Sequence, residues 1–220
     1  GGHGDNYYYQ MVANIRRFKG MDSKEVKPQS KHKITIGAGF DDWRDVLSYP
    51  AIKGNTIHRD SRGWGDYHYI NNSGRNDIVE ARVSHDAKNV YFYVECAEPI
   101  SSPTDKAWMR LFVDVDCNKQ TGWEGYDYVV NRLSPATKAT LEHSSSGWSW
   151  ERAGDVAYNV EGRKMEIAIP IEALKLSRKG GFEIEFKWVD NSQPDGDIFD
   201  FYLSGDAAPL GRFNYLYRAK

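Results

Sequence analysis

The sequence predicts an all-β fold: an antiparallel, jelly-roll-like β-sandwich with a short N-terminal helix. Three observations carry this. Apolar and polar residues alternate at period two in about ten short segments. Gly, Asn, Asp and Pro break those segments at the spacing of turns. The helical periodicity that a parallel α/β sheet needs between its strands is missing from the segments.

The elements follow in chain order. Asp5 or Asn6 can cap a helix over residues 7–19, where Tyr8, Met11, Val12, Ile15 and Phe18 share one face and Gly20 ends the run. Such an apolar stripe has to be covered, in part by the sandwich and in part by a preceding domain. Residues 21–33 are polar and irregular, with Pro28, and read as a linker. Residues 1–32 are therefore an appendage, and residues 33–220 form the sandwich domain. Its strands begin at residues 33–36. Val79, Ala81 and Val83 form the next alternating set, followed by Val90, Phe92, Val94 and Cys96, and then by Met109, Leu111, Val113 and Val115. Shorter candidates lie at residues 126–132, 139–143, 148–152 and 156–160. Met165, Ile167 and Ile169 come next, then Phe182, Ile184, Phe186 and Trp188, and residues 212–217 close the chain. A short helix over 171–176 follows Pro170. One-sided alternation gives each strand a buried face and a wet face.

Composition bounds the function. With 29 basic and 31 acidic residues the net charge is -2, which lacks the basic footprint of a nucleic-acid binder. No apolar run reaches membrane-spanning length. No leader is visible at Gly1. Aromatic residues are 14% of the chain, including 7 Trp, enough to supply both a core and flat ligand-binding surfaces. Two cysteines are too few for a disulfide scaffold or a structural zinc site. Consecutive strands usually pair, so residues 90–96 and 109–115 are expected to be neighbours. Cys96 and Cys117 then lie roughly 20 Å apart, at about 3.3 Å per residue. That is too far for a disulfide, which predicts two free thiols.

Catalytic signatures are weak. The chain has no Gly-x-Ser-x-Gly, phosphate-binding Gly loop or His-Glu-x-x-His pattern. Of the scattered histidines, His58 and His68 make the best pair. Paired carboxylates could hydrolyse a glycosidic bond, but Glu80, Glu95, Glu166, Glu183 and Glu185 fall at wet-face positions and read as solvated surface. Asp114, Asp116 and Asn118 offer three oxygen ligands in a tight loop and are the candidate calcium site. The other reading of this loop is a strand-end turn in which Asp and Asn cap backbone amides. Trp64, Trp108 and Trp123 sit in or beside polar loops, where a Trp packs either on the core or on a ligand. Trp188 continues a buried face and is assigned to the core.

The motifs Phe40-Asp41-Asp42-Trp43, His85-Asp86-Ala87-Lys88-Asn89-Val90-Tyr91-Phe92, Trp108, Phe112-Val113-Asp114 and Glu166-Ile167-Ala168-Ile169-Pro170 occur in this order. Together they resemble the family 9 carbohydrate-binding modules and the wider DOMON-like sandwiches. Gly74-Arg75-Asn76-Asp77 and Thr121-Gly122-Trp123-Glu124-Gly125-Tyr126-Asp127 are similar to a subgroup at the C-terminus of larger polysaccharide-degrading proteins. The resemblance implies a non-catalytic module, secreted, periplasmic or on the cell surface, that binds polysaccharide or oligosaccharide beside a preceding catalytic domain. It also implies bound calcium. Loop aromatics Trp64, Trp108 and Trp123 would stack on sugar rings, with Arg75, Asn76, Asp77 and Glu124 bonding hydroxyls. Family members can clamp a sugar with a second, late Trp, whereas the last Trp here is Trp188. Two alternatives stay open: an interaction or structural domain supporting a catalytic domain, and a glycosidase in its own right.

Overall fold

A computed structural model describes residues 11–12, 15, 18–19, 27–133, 135, 138–177 and 180–220. Its strands are β1 (Ser48–Pro50), β2 (Arg59–Arg62), β3 (His68–Asn71), β4 (Ile78–His85), β5 (Asn89–Cys96), β6 (Arg110–Asp114), β7 (Tyr128–Val130), β8 (Ala139–His143), β9 (Glu151–Glu161), β10 (Lys164–Pro170), β11 (Phe182–Asp190), β12 (Asp206–Ala208) and β13 (Tyr215–Ala219). The pairing order is β1-β4-β5-β10-β9-β8-β7-β6-β11-β12, antiparallel throughout, with β13 also on β11 and β2–β3 standing apart as a hairpin.

The long strand β9 turns this order into two layers. Its second half, from Ala157 to Glu161, pairs with β10, and its first half, from Glu151 to Val156, pairs with β8. A register shift between Leu141 and Glu142 of β8, opposite Gly154 and Arg152, interrupts the ladder along the first half of β9. The inner faces then meet. Phe92 of β5 and Phe186 of β11 have ring centroids 5.7 Å apart, and Tyr49 of β1 lies 5.2 Å from Phe186. The shared core also takes in Val83, Val94, Ile167, Leu111, Val113 and Trp188, so the alternation and the core placement of Trp188 hold.

Both outer faces are covered too, which one-sided alternation did not anticipate. Phe112, Val129 and Val189 point outward from β6, β7 and β11 under Trp123, Tyr126 and Phe201. Every residue of β6 and β7 is therefore buried. On the other layer Tyr91, Tyr93 and Ala168 are roofed by Ile34 and Trp43. Two carboxylates read as solvated are sealed under these covers. Glu166 accepts Gly37 N and Trp43 Nε1 at 2.8 Å, and Asn159 Nδ2 at 3.3 Å. Glu185, 2% exposed, meets Lys119 Nζ at 2.5 Å and Asn214 Nδ2 at 2.9 Å. Hydrogen bonding and charge pairing replace the water these groups lose.

Other expectations are corrected. Residues 33–36 form no strand; Ile34 serves in the roof. Residues 171–175 make turns instead of a helix, with Ala173 N bonded to Pro170 O and Lys175 at φ 54°. β5 lies between β4 and β10, and β6 between β7 and β11, so the two are not neighbours. Cys96 and Cys117 form no disulfide, as expected, although the strand pairing used to argue it was wrong. The N-terminal helix falls largely outside the described residues. Within them Met11, Val12, Ile15 and Phe18 are helical, and Phe18 is 92% exposed.

Candidate functional site

The hairpin β2–β3 pairs with neither layer, so side chains must hold it. Arg59 does so from β2: Nη1 donates to Asn55 O at 2.8 Å, Nη2 to Gly205 O at 2.9 Å and Nε to Leu203 O at 3.5 Å. Asn71 at the end of β3 donates to Thr56 O at 2.9 Å. Gly205 can play its part only as glycine. Its φ is 53°, and a Cβ there would lie 1.9 Å from Asp190 O. The short helix Asp200–Leu203 packs against β3, and the Tyr67 and Phe199 rings sit 5.0 Å apart.

Between hairpin and helix lies a cavity of about 250 Å³. Arg59, Asn55 and Asp206 supply its polar walls; Tyr69, Phe201 and Tyr202 supply rings. Asp206 Oδ2 accepts Ile78 N and Oδ1 accepts Ala207 N, each at 2.7 Å. Burial pushes its carboxyl up to about 7, against those two amides. Asn55 Oδ1 is buried without a hydrogen-bond partner among the described residues. Beneath the floor, Lys187 Nζ donates to Pro209 O and lies 5.1 Å from the Phe201 ring centre, and burial drives this amine well below its ordinary value. Tyr69 and Ile70 are successive on β3 and point to opposite sides. Ile70 lines a second, more open groove with Asn72, Ser73, Lys106 and Pro194.

Trp64 caps the hairpin loop and is 84% exposed. Its neighbour Gly63 lies against the cavity wall, where an added Cβ would come within 2.5 Å of the Tyr69 ring.

The other predicted ligand contacts go elsewhere. Trp108 is fully buried in the main core, with its Nε1 donating to Ser101 O at 3.0 Å. Trp123 is 4% exposed, lies 4.5 Å from Trp148 and donates to Gly196 O at 3.1 Å. Neither offers a ring face to a ligand. Arg75 Nε bonds the fully buried Asp190 at 2.8 Å and its Nη2 bonds Lys106 O at 2.6 Å. Asn76, at φ 54°, clamps Ser101 through N–H to Oδ1 and Nδ2 to Oγ. Asp77 accepts Gly54 N. These three shape loops. Glu124 pairs with Arg212 at 3.0 Å on the surface. Sequence reasoning missed Arg59, Asn55, Tyr69, Tyr202 and Asp206, because the chain around the hairpin shows no apolar period and its strands pair only with each other.

A separate oxygen cluster forms behind β6. Asp114, Asp116 and Asp127 bring carboxylate atoms within 4.8 Å of one another. Asn118 Oδ1 accepts Gln120 N at 3.0 Å, as in the turn-capping reading. Asp127 joins the carboxylates from the far side of the loop. Asp114 Oδ2 meets Lys119 Nζ at 2.8 Å, while Asp114 Oδ1 is buried and unpartnered among the described residues. Burial raises Asp127 to about 6, and the charges of Asp116 and Asp114 add to it. Three hard oxygens and an orphaned buried acceptor suit a hard divalent cation.

Comparison with known proteins gives little sequence likeness. No protein-family model matches the chain. No curated protein matches it. Among solved structures, it is similar to a family 9 carbohydrate-binding module from Caldicellulosiruptor kristjanssonii in complex with cellotriose. The identity is 12%, the TM-score 0.39, and the match covers 85% of this chain and 79% of that one.

Proposed function

We propose that the chain is a non-catalytic saccharide-binding module and that the hairpin cavity is its site. One observation carries the reading: an almost fully exposed Trp64 sits in the loop of the same hairpin whose Arg59 and Tyr69 line a cavity of polar groups and aromatic walls. An exposed indole lowers its free energy by covering the apolar face of a sugar ring. The cavity's Arg, Asn and Asp groups suit hydroxyls. A stacked ring contributes about 1–3 kcal/mol, by analogy with base stacking. Calorimetry against a panel of plant oligosaccharides should therefore show Trp64→Ala weakening binding about tenfold or more, with an unchanged melting temperature. Equal affinities would remove Trp64 from the site.

A second reading concerns calcium, held by Asp114, Asp116 and Asp127; the orphaned Asp114 Oδ1 favours it. The sign of its pH dependence follows from Asp127. Its folded-state carboxyl titrates near 6, above the unfolded value, so without metal its contribution to stability falls as pH rises towards about 6. A bound cation reverses that cost by pairing with the carboxylates. Added calcium should raise the melting temperature at pH 7 and do little at pH 5; chelator should reverse the gain. A melting curve at pH 7 that calcium and chelator both leave unchanged would exclude the site.

A further inference from the structure

The cavity contains a cation with no ion-pair partner among the described residues. Arg59 has five N–H donors. Three point to the carbonyls of Asn55, Leu203 and Gly205, leaving one N–H on each terminal nitrogen. Arg59 lines the cavity, and among the described residues it makes no ion pair. Arg75, Arg82 and Arg132, in contrast, each meet a carboxylate, on Asp190, Glu80 and Glu142. The acidic groups near Arg59 are Asp200 and Asp206, and both are committed. Asp200 accepts Ser192 Oγ, Gln193 N and Ser204 Oγ. Asp206 accepts two backbone amides. Burial makes Arg59 less basic than an exposed arginine, and the charges of Asp206 and Asp200 offset only part of that.

We propose, resting on the saccharide reading above, that the cavity takes an anionic sugar, its carboxylate or sulfate ester seated on the free N–H groups of Arg59. A planar guanidinium with one donor left on each end matches two acceptor oxygens, and a charged acceptor makes the stronger bond. The ring carrying the anion would pack on Tyr69, Tyr202 and Phe201. Asp206 modulates the site. Near neutral pH its carboxyl is partly protonated, and full protonation on acidification removes a like charge from beside the ligand.

The test is calorimetry on the unaltered chain with tri-galacturonate, the same oligomer with its carboxyls reduced to alcohols, a sulfated oligosaccharide and sodium sulfate. The anionic oligomer should bind about tenfold tighter or more than its reduced form, which is about 1.4 kcal/mol, and tighter still at pH 6 than at pH 8. Preference for the carboxylated or the sulfated probe identifies the anion's source. Arg59→Lys, which keeps the charge and loses the fork, should bring the ratio of anionic to reduced binding towards one. The comparison of anionic with reduced oligomer on the unaltered protein stands by itself, so a misfolded variant does not affect that result. Equal or tighter binding of the reduced oligomer overturns the proposal and leaves saccharide binding intact. Binding of sodium sulfate as tight as the oligosaccharides also overturns it. No binding of any saccharide in the panel overturns the underlying reading as well.

Discussion

Trp108→Ala should destabilise the fold by about 3–5 kcal/mol, the range for deleting a large buried aromatic side chain. Trp108 has no exposed surface, packs in the shared core of the two layers, and anchors the loop before β6 by its indole bond to Ser101 O. Truncation leaves both a cavity and an unpaired carbonyl. The cavity term dominates, because surrounding strands held by ladders on both sides relax little. Urea denaturation measures the loss, and saccharide affinity of the folded fraction should not change. A loss under about 1 kcal/mol would contradict the core placement.

Arg75→Ala should cost a similar amount, about 3–5 kcal/mol, for a different reason. Asp190 is fully buried and accepts Met109 N at 2.9 Å, but Arg75 supplies its only ion pair among the described residues. Without that guanidinium the carboxylate is a buried, uncompensated charge. Its carboxyl is already raised by burial, and losing Arg75 raises it further. A raised carboxyl binds its proton more tightly folded than unfolded, so its contribution to stability falls as pH rises. The deficit of Arg75→Ala should therefore be larger at pH 8 than at pH 5. Arg75→Ala combined with Asp190→Asn should recover part of it, since the amide carries no charge. A deficit independent of pH would point to lost packing instead.

β4, β5, β10 and β11 were legible from their inner faces: the apolar residue at every second position of each meets the shared core, although the outer faces of β5, β10 and β11 are largely buried as well. Legibility ended where loops fold back over an outer face. Glu166 and Glu185 occupy positions that alternation assigns to water, and only the roofs built by Trp43 and by Tyr126 make them interior. The same long-range event separates Trp64 from Trp108 and Trp123. All three stand near polar residues in the chain, yet two are enclosed by segments distant in sequence, and one is left at the tip of a hairpin. Asp127 was missed because proximity in the loop, and not proximity in sequence, brings it to Asp114. The β2–β3 hairpin was read as loop, since its burial pattern carries almost no apolar signal: three of the four residues of β2 are exposed.

The central claim is that saccharides bind at the hairpin cavity. The most direct measurement is a two-dimensional proton–nitrogen NMR titration of the labelled chain with the oligosaccharide it binds most tightly. The account predicts that the Trp64 indole signal and the amides of Asn55, Arg59, Tyr69 and Gly205 move together, while the Trp108 and Trp123 indoles stay in place. Shifts confined to another surface, such as the Gly39–Phe40 loop beside Lys164, or no shifts at all, would contradict it.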